Sequence, residues 1–248
     1  MLNKLNSNVK KYLLKEQYRP SFIGLFLNPF YFARKAIYKN IKIYSKNIAG
    51  ITLDIGCGSK PYENLFATEK YVGMDVEVSG HKRTDMHIDV FYDGIKIPFE
   101  NNYFDSIVCF EVLEHVFNPE VFLSEAIRVL KPGGVAIFTV PFVWDEHESP
   151  FDYARYTSFG LKYLFEKSGF NVLENKKYLC DLRLLSLLTN AYIYKIIRKL
   201  IPSKISLLLI LPLTTLNNII GHIFYLFPKN IDLYFGNIFL LKKITMPV

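Results

Sequence analysis

The feature that most constrains this chain is a short apolar run that ends on a glycine turn. Ile51-Thr52-Leu53-Asp54-Ile55 leads directly into Gly56-Cys57-Gly58. An apolar run of this length, rich in β-branched residues and closed by glycine, reads as a buried strand. The glycines let the backbone turn tightly and present its amides to a ligand. The pattern recurs: residues 71–75 end on Asp75, residues 86–90 give a third strand, 104–110 a fourth and 134–140 a fifth.

Helices separate the later strands. Asn118 is expected to cap one, with Pro119 at its first position, Glu120 at the positive end of its dipole, and Phe122, Leu123, Ala126, Ile127 and Leu130 forming an apolar stripe. Lys131-Pro132-Gly133-Gly134 stops it. A second spans about 158–167, with Leu161, Leu164 and Phe165 inward and Gly169 beyond its end. Strands alternating with helices imply a parallel sheet covered on both faces. A last strand, about 233–243, is expected to pair as a hairpin with residues 171–178.

The chain divides into a basic helical segment (1–48), broken near Asn28-Pro29, a core (49–180), a hydrophobic helical insertion (181–228) and a closing strand with tail (229–248). The charge follows this division. Residues 1–50 hold ten Lys/Arg and one acid, 51–180 twelve against twenty, and 181–248 eight against two. The basic flanks interleave with Leu, Ile, Phe and Tyr, which suits an amphipathic surface better than a phosphate-tracking groove. Peripheral contact with the inner face of a membrane is expected. A nucleic-acid partner is disfavoured by the acidic core and by the lack of a target-base motif. Residues 205–227 approach the length of a bilayer crossing, but Pro212, Thr214, Thr215, Asn217, Asn218 and His222 suit packing or an interfacial position better. Cys57, Cys109 and Cys180 show no CxxC or zinc spacing, so neither a disulfide framework nor a metal is expected. The N-terminus has no apolar signal segment, and a cytoplasmic location is expected. The oligomeric state stays open.

Ligands of open parallel sheets bind beyond the carboxyl ends of the strands. Asp54, Gly56, Cys57 and Gly58 stand at one such end. Asp75 and Val76 stand at the next, 21 residues on, where a carboxylate can accept ribose hydroxyls. Asp89 and Val90 suit an adenine edge. The set implies an adenosine-containing cofactor. A nicotinamide dinucleotide is disfavoured because Ser59-Lys60-Pro61-Tyr62 lacks the third glycine of that fingerprint.

With these motifs in view, Asp54-Ile-Gly-Cys-Gly58 resembles motif I of class I S-adenosylmethionine-dependent methyltransferases. The segment Phe104-Asp-Ser-Ile-Val-Cys-Phe-Glu-Val-Leu-Glu-His115 is similar to their fourth strand, and Arg128-Val-Leu-Lys-Pro-Gly-Gly134 to the turn before their fifth. The likeness covers about residues 50–180. It implies a Rossmann-like, doubly wound α/β fold, with a mostly parallel seven-stranded sheet and an antiparallel last strand. The N-terminal helices and the C-terminal helical insertion lie outside it. It also implies S-adenosyl-L-methionine as cofactor, with Asp54, Gly56 and Gly58 along its methionine part, Asp75 at the ribose, Asp89 at the adenine, and Phe110, followed by Glu111, near the sulfonium. Residues 144–157 are similar to the segment after the fifth strand in bacterial methyltransferases of surface-polysaccharide and lipid-linked glycan assembly. That implies O-methylation of a saccharide or lipid-linked glycan; a small soluble or lipid metabolite, or a silent scaffold of the same fold, is the alternative. His147 is expected to be the general base, oriented by Asp145 or Glu148, with Asp152 second. His115, Trp144, Tyr153 and Arg155 are expected to meet the acceptor, although Asp152 and Arg155 can also pair to fix their loop.

Overall fold

The structure is a computed structural model, which describes residues 7–78, 87–201, 203 and 205–245. In chain order its elements are α1 (Ser7–Tyr18), α2 (Gly24–Leu27), α3 (Tyr31–Tyr44), β1 (Ile51–Ile55), β2 (Lys70–Val76), β3 (Val90–Tyr92), β4 (Phe104–Phe110), α4 (Pro119–Val129), β5 (Leu130–Pro141), α5 (Ser158–Lys167), β6 (Phe170–Tyr178), α6 (Arg183–Leu200), α7 (Ser206–Ile223) and β7 (Gly236–Lys243). They form two compact units: Asn40–Lys177 with Gly236–Val248, and Met1–Lys39 with Tyr178–Phe235. The sequence reading treats the basic N-terminus and the apolar insertion as separate segments; the fold joins them in one unit.

The first unit carries a seven-stranded sheet in the order β3-β2-β1-β4-β5-β7-β6. Strands β1 to β5 run parallel, and β7 is antiparallel to β5. The chain moves outward from β1 to β3 and then returns to lay β4 against β1. Strand order therefore reverses between β1 and β4, where Ile55 pairs with Cys109. The central strands are buried because helices cover both faces, and they read as almost unbroken apolar runs. Leu53, Ile55, Met74, Ile107, Cys109, Leu113, Phe138, Phe165 and Phe239 form the centre of the core.

Helix α4 buries Phe122, Leu123, Ala126 and Val129, the i, i+1, i+4, i+7 stripe of an amphipathic helix. Pro119 begins it, as its missing N–H predicts. Asn118 precedes it but makes no side-chain cap hydrogen bond, which corrects the expected cap. Leu130 belongs to β5 rather than to the helix. At the next helix the cap is Thr157, whose hydroxyl accepts from the Gly160 N–H at 3.1 Å. The third strand is shorter and later than expected: it is Val90–Tyr92, and Asp89 precedes it. Met86 lies outside the described residues. Strand β7 neighbours β6 as expected, but with α6 and α7 inserted between them in sequence.

In the second unit, two of the polar residues of α7 that argued against a bilayer crossing, Thr214 and Asn218, lie on its buried face with Ser206, Ile210 and Gly221. Asn218 Nδ2 donates to the carbonyls of Leu25 and Asn28, at 3.0 and 3.2 Å. Asn217 Nδ2 donates to the Ser186 carbonyl and to Asn190 Oδ1, at 2.8 and 2.7 Å. Gly221 permits close approach, since a Cβ there would lie 2.6 Å from Phe32. These bonds satisfy side chains that burial would otherwise penalise. The opposite face of α7 exposes Leu208, Leu209, Leu213, Leu216, Ile220 and Ile223.

Candidate active site

The turn after β1 lies at the point of strand reversal. Gly56 has φ +73° and Gly58 φ +49°, conformations that favour glycine. A Cβ on Gly56 would also fall 2.3 Å from Val112 Cγ2. The turn is tied to β2 from both sides. The Gly56 N–H donates to the Met74 carbonyl at 2.8 Å, and the Gly58 N–H donates to Asp75 Oδ2 at 3.0 Å. Asp75 Oδ1 accepts from the Val76 N–H at 2.8 Å. Thus Asp54, Gly56, Cys57, Gly58, Asp75 and Val76 do converge on one crevice edge, and Asp75 shapes the glycine turn.

Asp54 is buried, and Tyr71 donates its hydroxyl to Asp54 Oδ2 at 2.8 Å. Burial raises the carboxyl pKa to about 7 against the opposing Tyr71 hydrogen bond, and the nearby Asp75 adds to the rise. A cationic ligand group placed beside Asp54 restores its charge. Asp89 Oδ2 accepts from the Gly73 N–H at 2.7 Å and from Lys60 Nζ at 2.5 Å. Although burial opposes it, these bonds hold the Asp89 carboxyl below its usual range. Asp89 therefore braces the turn through Lys60, with Val90 starting the strand behind it. Gly73 escaped the sequence reading: a Cβ there would lie 2.2 Å from Lys60 Cε and 2.7 Å from Cys57 Sγ. A glycine inside a strand is the signal for such an approach.

Phe110 closes the other side of the crevice. Its ring meets Tyr62 edge-on at 5.5 Å and stacks with Phe66 at 6.3 Å; Phe66 in turn stacks on Tyr71 at 5.9 Å. No periodicity announced this aromatic wall. Glu111 follows with φ +55°, its N–H bonded to the Thr139 carbonyl at 2.9 Å. Cys57 and Cys109 are buried and free, and burial pushes both thiols up, which makes them poor nucleophiles.

Beyond Glu111 the chain makes a short helical turn that carries Glu114 and His115, and the segment after β5 folds onto it. The N–H groups of Tyr153 and Ala154 donate to the Glu114 carbonyl at 2.9 and 3.2 Å. His115 Nδ1 lies 2.9 Å from the Phe151 carbonyl, an acceptor that requires a proton on that nitrogen. The His115 and His147 rings meet edge-on at 4.7 Å. Sequence reasoning passed over Glu114, although it stands beside His115. The Glu114 side chain is 0% exposed, and neither carboxylate oxygen has a hydrogen-bond partner among the described residues. Burial, reinforced by Glu111, raises its pKa well above the usual carboxyl range.

His147 packs against His115, and its neighbours differ from those expected from the sequence. Its Nδ1 lies 3.2 Å from the Asp145 carbonyl and 3.4 Å from Asp152 Oδ2. The backbone of Asp145 and the carboxylate of Asp152 therefore orient it. Burial, then the adjacent His115, lowers the His147 pKa, and the ring is neutral near pH 7. Asp152 is unsuited to be a base. Burial alone would raise its pKa, but two Arg155 bonds of 2.6 Å and the His147 N–H bring it down to about 2. Arg155 also donates to the carbonyls of Trp144, Ala154 and Asp145. Its donors are committed to the loop, which removes it from the acceptor-binding set. Tyr153 remains 46% exposed and meets Phe117 edge-on at 5.2 Å.

A family model described as a methyltransferase domain matches residues 31–175. The chain belongs to this family. The relatives include a probable S-adenosylmethionine-dependent methyltransferase of Mycolicibacterium smegmatis, 29% identical over 132 residues, covering 48% of this chain and 51% of that protein. A ubiquinone biosynthesis O-methyltransferase of Maricaulis maris is 33% identical over 100 residues, covering 34% of this chain and 38% of that one. The chain spans about half the length, or less, of the curated relatives it matches first. Among solved structures, the cyclopropane synthase MmaA2 of Mycobacterium tuberculosis superposes with a TM-score of 0.52 at 16% identity, covering 94% of this chain and 98% of that one. Haemonchus contortus phosphoethanolamine N-methyltransferase 2, solved with S-adenosylhomocysteine, gives 0.55 at 16% identity, with 98% and 59% coverage. These likenesses establish the Rossmann-like methyltransferase fold. The matched residues make a methyltransferase domain, a family whose cofactor is S-adenosyl-L-methionine.

Proposed function

We propose that this methyltransferase-domain protein transfers the methyl group of S-adenosylmethionine to a hydroxyl oxygen of an amphipathic acceptor. One observation carries the reading: a buried carboxylate and two imidazoles, Glu114, His115 and His147, lie immediately beyond the β4 end of the crevice. The Asp54–Gly58 turn, Asp75 and Phe110 would hold the donor, with Asp54 offering a carboxylate to its ammonium group. The sulfonium already activates the methyl group, so alignment supplies much of the acceleration. A hydroxyl also needs a proton acceptor, and neutral His147 serves. With S-adenosylmethionine bound it would supply the methyl group, and His147 would take the hydroxyl proton as the C–O bond forms and the C–S bond breaks, leaving S-adenosylhomocysteine.

For the acceptor, the first reading is a saccharide or lipid-linked glycan intermediate, supported by the exposed Tyr153–Phe117 pair, which suits a pyranose face. The relatives named for ubiquinone biosynthesis favour a second reading, a phenolic quinone precursor. The test is incubation of a cell-envelope extract with isotopically labelled methyl donor, followed by mass spectrometry. Label in glycan lipids supports the first acceptor, and label in polyprenyl phenols the second. Failure of the protein to bind S-adenosylhomocysteine in calorimetry refutes the whole reading.

We also infer a peripheral position at an anionic membrane surface. The unit that carries α7 holds fourteen Lys/Arg against three acids. The helical stretch Ser206–Leu226 is long and apolar enough to cross a membrane, yet only 22% buried. An apolar face flanked by basic residues suits anionic lipid headgroups. Sedimentation with anionic but not neutral vesicles is expected, and equal recovery with both, or with neither, refutes it.

A further inference from the structure

We propose that Glu114, His115 and His147 form a binding site for a divalent transition-metal ion of the zinc or cobalt type. The inference rests on the proposed hydroxyl acceptor and deepens it, because a cation there would hold the acceptor oxygen. Each of the three side chains offers one ligand atom, and these atoms lie within 4.8 Å of one another. Around a four-coordinate ion at about 2.1 Å, neighbouring ligands stand about 3.4 Å apart. Small side-chain rotations, closing the set by roughly an ångström, would meet that spacing.

The second line of argument is the state of the donors. Glu114 Oε1, Glu114 Oε2 and His115 Nε2 are buried and have no hydrogen-bond partner among the described residues. A buried polar atom without a partner is costly, yet three occur within two adjacent residues. His115 Nε2 lies 3.8 Å from Glu114 Oε1 and 3.7 Å from Glu148 Oε1, too far for hydrogen bonds. A cation would offset this cost.

The outer contacts agree with such a site. Metal-bound imidazoles commonly donate their other N–H to a carbonyl or carboxylate, which fixes the ring and aims its lone pair. His115 Nδ1 has the Phe151 carbonyl at 2.9 Å, and His147 Nδ1 has the Asp145 carbonyl at 3.2 Å. Asp152, clamped by Arg155, stands behind both rings, 4.0 Å from His115 Nδ1 and 3.4 Å from His147 Nδ1. Two imidazoles and a carboxylate suit zinc or cobalt. They do not suit magnesium, which prefers oxygen ligands in octahedral geometry. Three protein ligands leave a coordination position open, as catalytic rather than structural sites do. The cysteine spacing that argued against zinc has no bearing here, because none of the ligands is a cysteine.

Bound there, the ion would lower the pKa of an acceptor hydroxyl as a Lewis acid. His147 would then act as a ligand, and Glu148 would receive the hydroxyl proton as the C–O bond forms and the C–S bond breaks.

The test is metal binding by the full chain. Chelator-stripped protein is titrated with Co2+, followed by its visible absorption, and then with Zn2+, followed by metal analysis after gel filtration. About one Zn2+ per chain is expected, with Glu114→Gln and His147→Asn each weakening it at least roughly tenfold and millimolar Mg2+ failing to displace it. S-adenosylhomocysteine binding within about twofold of wild type shows that the variants are folded with the donor site intact. Wild-type protein that takes up no stoichiometric Co2+ or Zn2+, or variants that bind them as tightly, overturns the proposal. That failure with S-adenosylhomocysteine binding intact leaves the methyl-transfer reading standing, whereas lost S-adenosylhomocysteine binding in wild type refutes that reading instead.

Discussion

The proposed contact of Asp54 with the donor predicts that donor binding is proton-linked. Burial raises its carboxyl pKa to about 7 in the unliganded protein. A donor ammonium group beside it favours the charged carboxylate and returns the pKa toward the ordinary value near 4. Below pH 7 binding must therefore expel a proton. With a pKa of about 7, roughly one molecule in thirty carries a charged Asp54 at pH 5.5, against half at pH 7. S-adenosylhomocysteine should bind roughly fifteenfold more weakly at pH 5.5, a difference of about 1.6 kcal/mol. Calorimetry in buffers of different ionisation enthalpy should record release of about one proton at pH 5.5 and about half at pH 7. The sign for stability is opposite. A raised carboxyl pKa contributes stability below the unfolded value near 4, and that contribution is lost as pH rises through 7. Asp54→Asn should hence melt no lower than wild type at pH 8 while binding the ligand weakly and without this pH slope. Affinity that varies less than about twofold from pH 5.5 to 7, or a slope that survives in Asp54→Asn, refutes the argument.

Three further outcomes follow from the same geometry. Gly56→Ala places a Cβ 2.3 Å from Val112 Cγ2 at a φ of +73°, so a loss of about 2 kcal/mol and of donor binding is expected; an unchanged melting temperature would contradict it. Asp152→Asn weakens two 2.6 Å bonds from Arg155 and should cost about 2 kcal/mol in urea denaturation. Because the Asp152 pKa is depressed to about 2, its stabilising contribution is present above the unfolded pKa near 4 and lost as pH falls through 2; a pH-independent difference between variant and wild type would refute the pairing. His147→Ala should lower turnover at least roughly tenfold with S-adenosylhomocysteine affinity nearly unchanged, and equal turnover would remove His147 from the reaction.

The convergence of the glycine turn, Asp75 and Phe110 was legible along the chain because it is local. The glycine turn, Asp75 and Phe110 each end a strand, and in a parallel sheet the carboxyl ends of neighbouring strands meet. Asp89 was placed nearby but its work was not foreseen, since Lys60 and Gly73 come to it from separate elements. The acceptor side was harder to read. Arg155 looks available in sequence, yet five of its contacts close within its own loop. Asp152 looks like a base until Arg155 is seen against both of its oxygens.

The sequence alone determined the alternation of strands and helices, the crevice at the ends of β1 and β4, and the class of cofactor. The first two follow from periodicity and from glycine's freedom to turn, which are properties of short stretches, and the cofactor follows from the resemblance those motifs carry. Only the tertiary structure decided that His115 and His147 gather at the buried Glu114 carboxyl, and that the asparagines of α7 face inward. Burial and convergence depend on segments far apart in the chain, so the energy of an unpartnered carboxylate or a satisfied amide is settled only once the fold has closed around it.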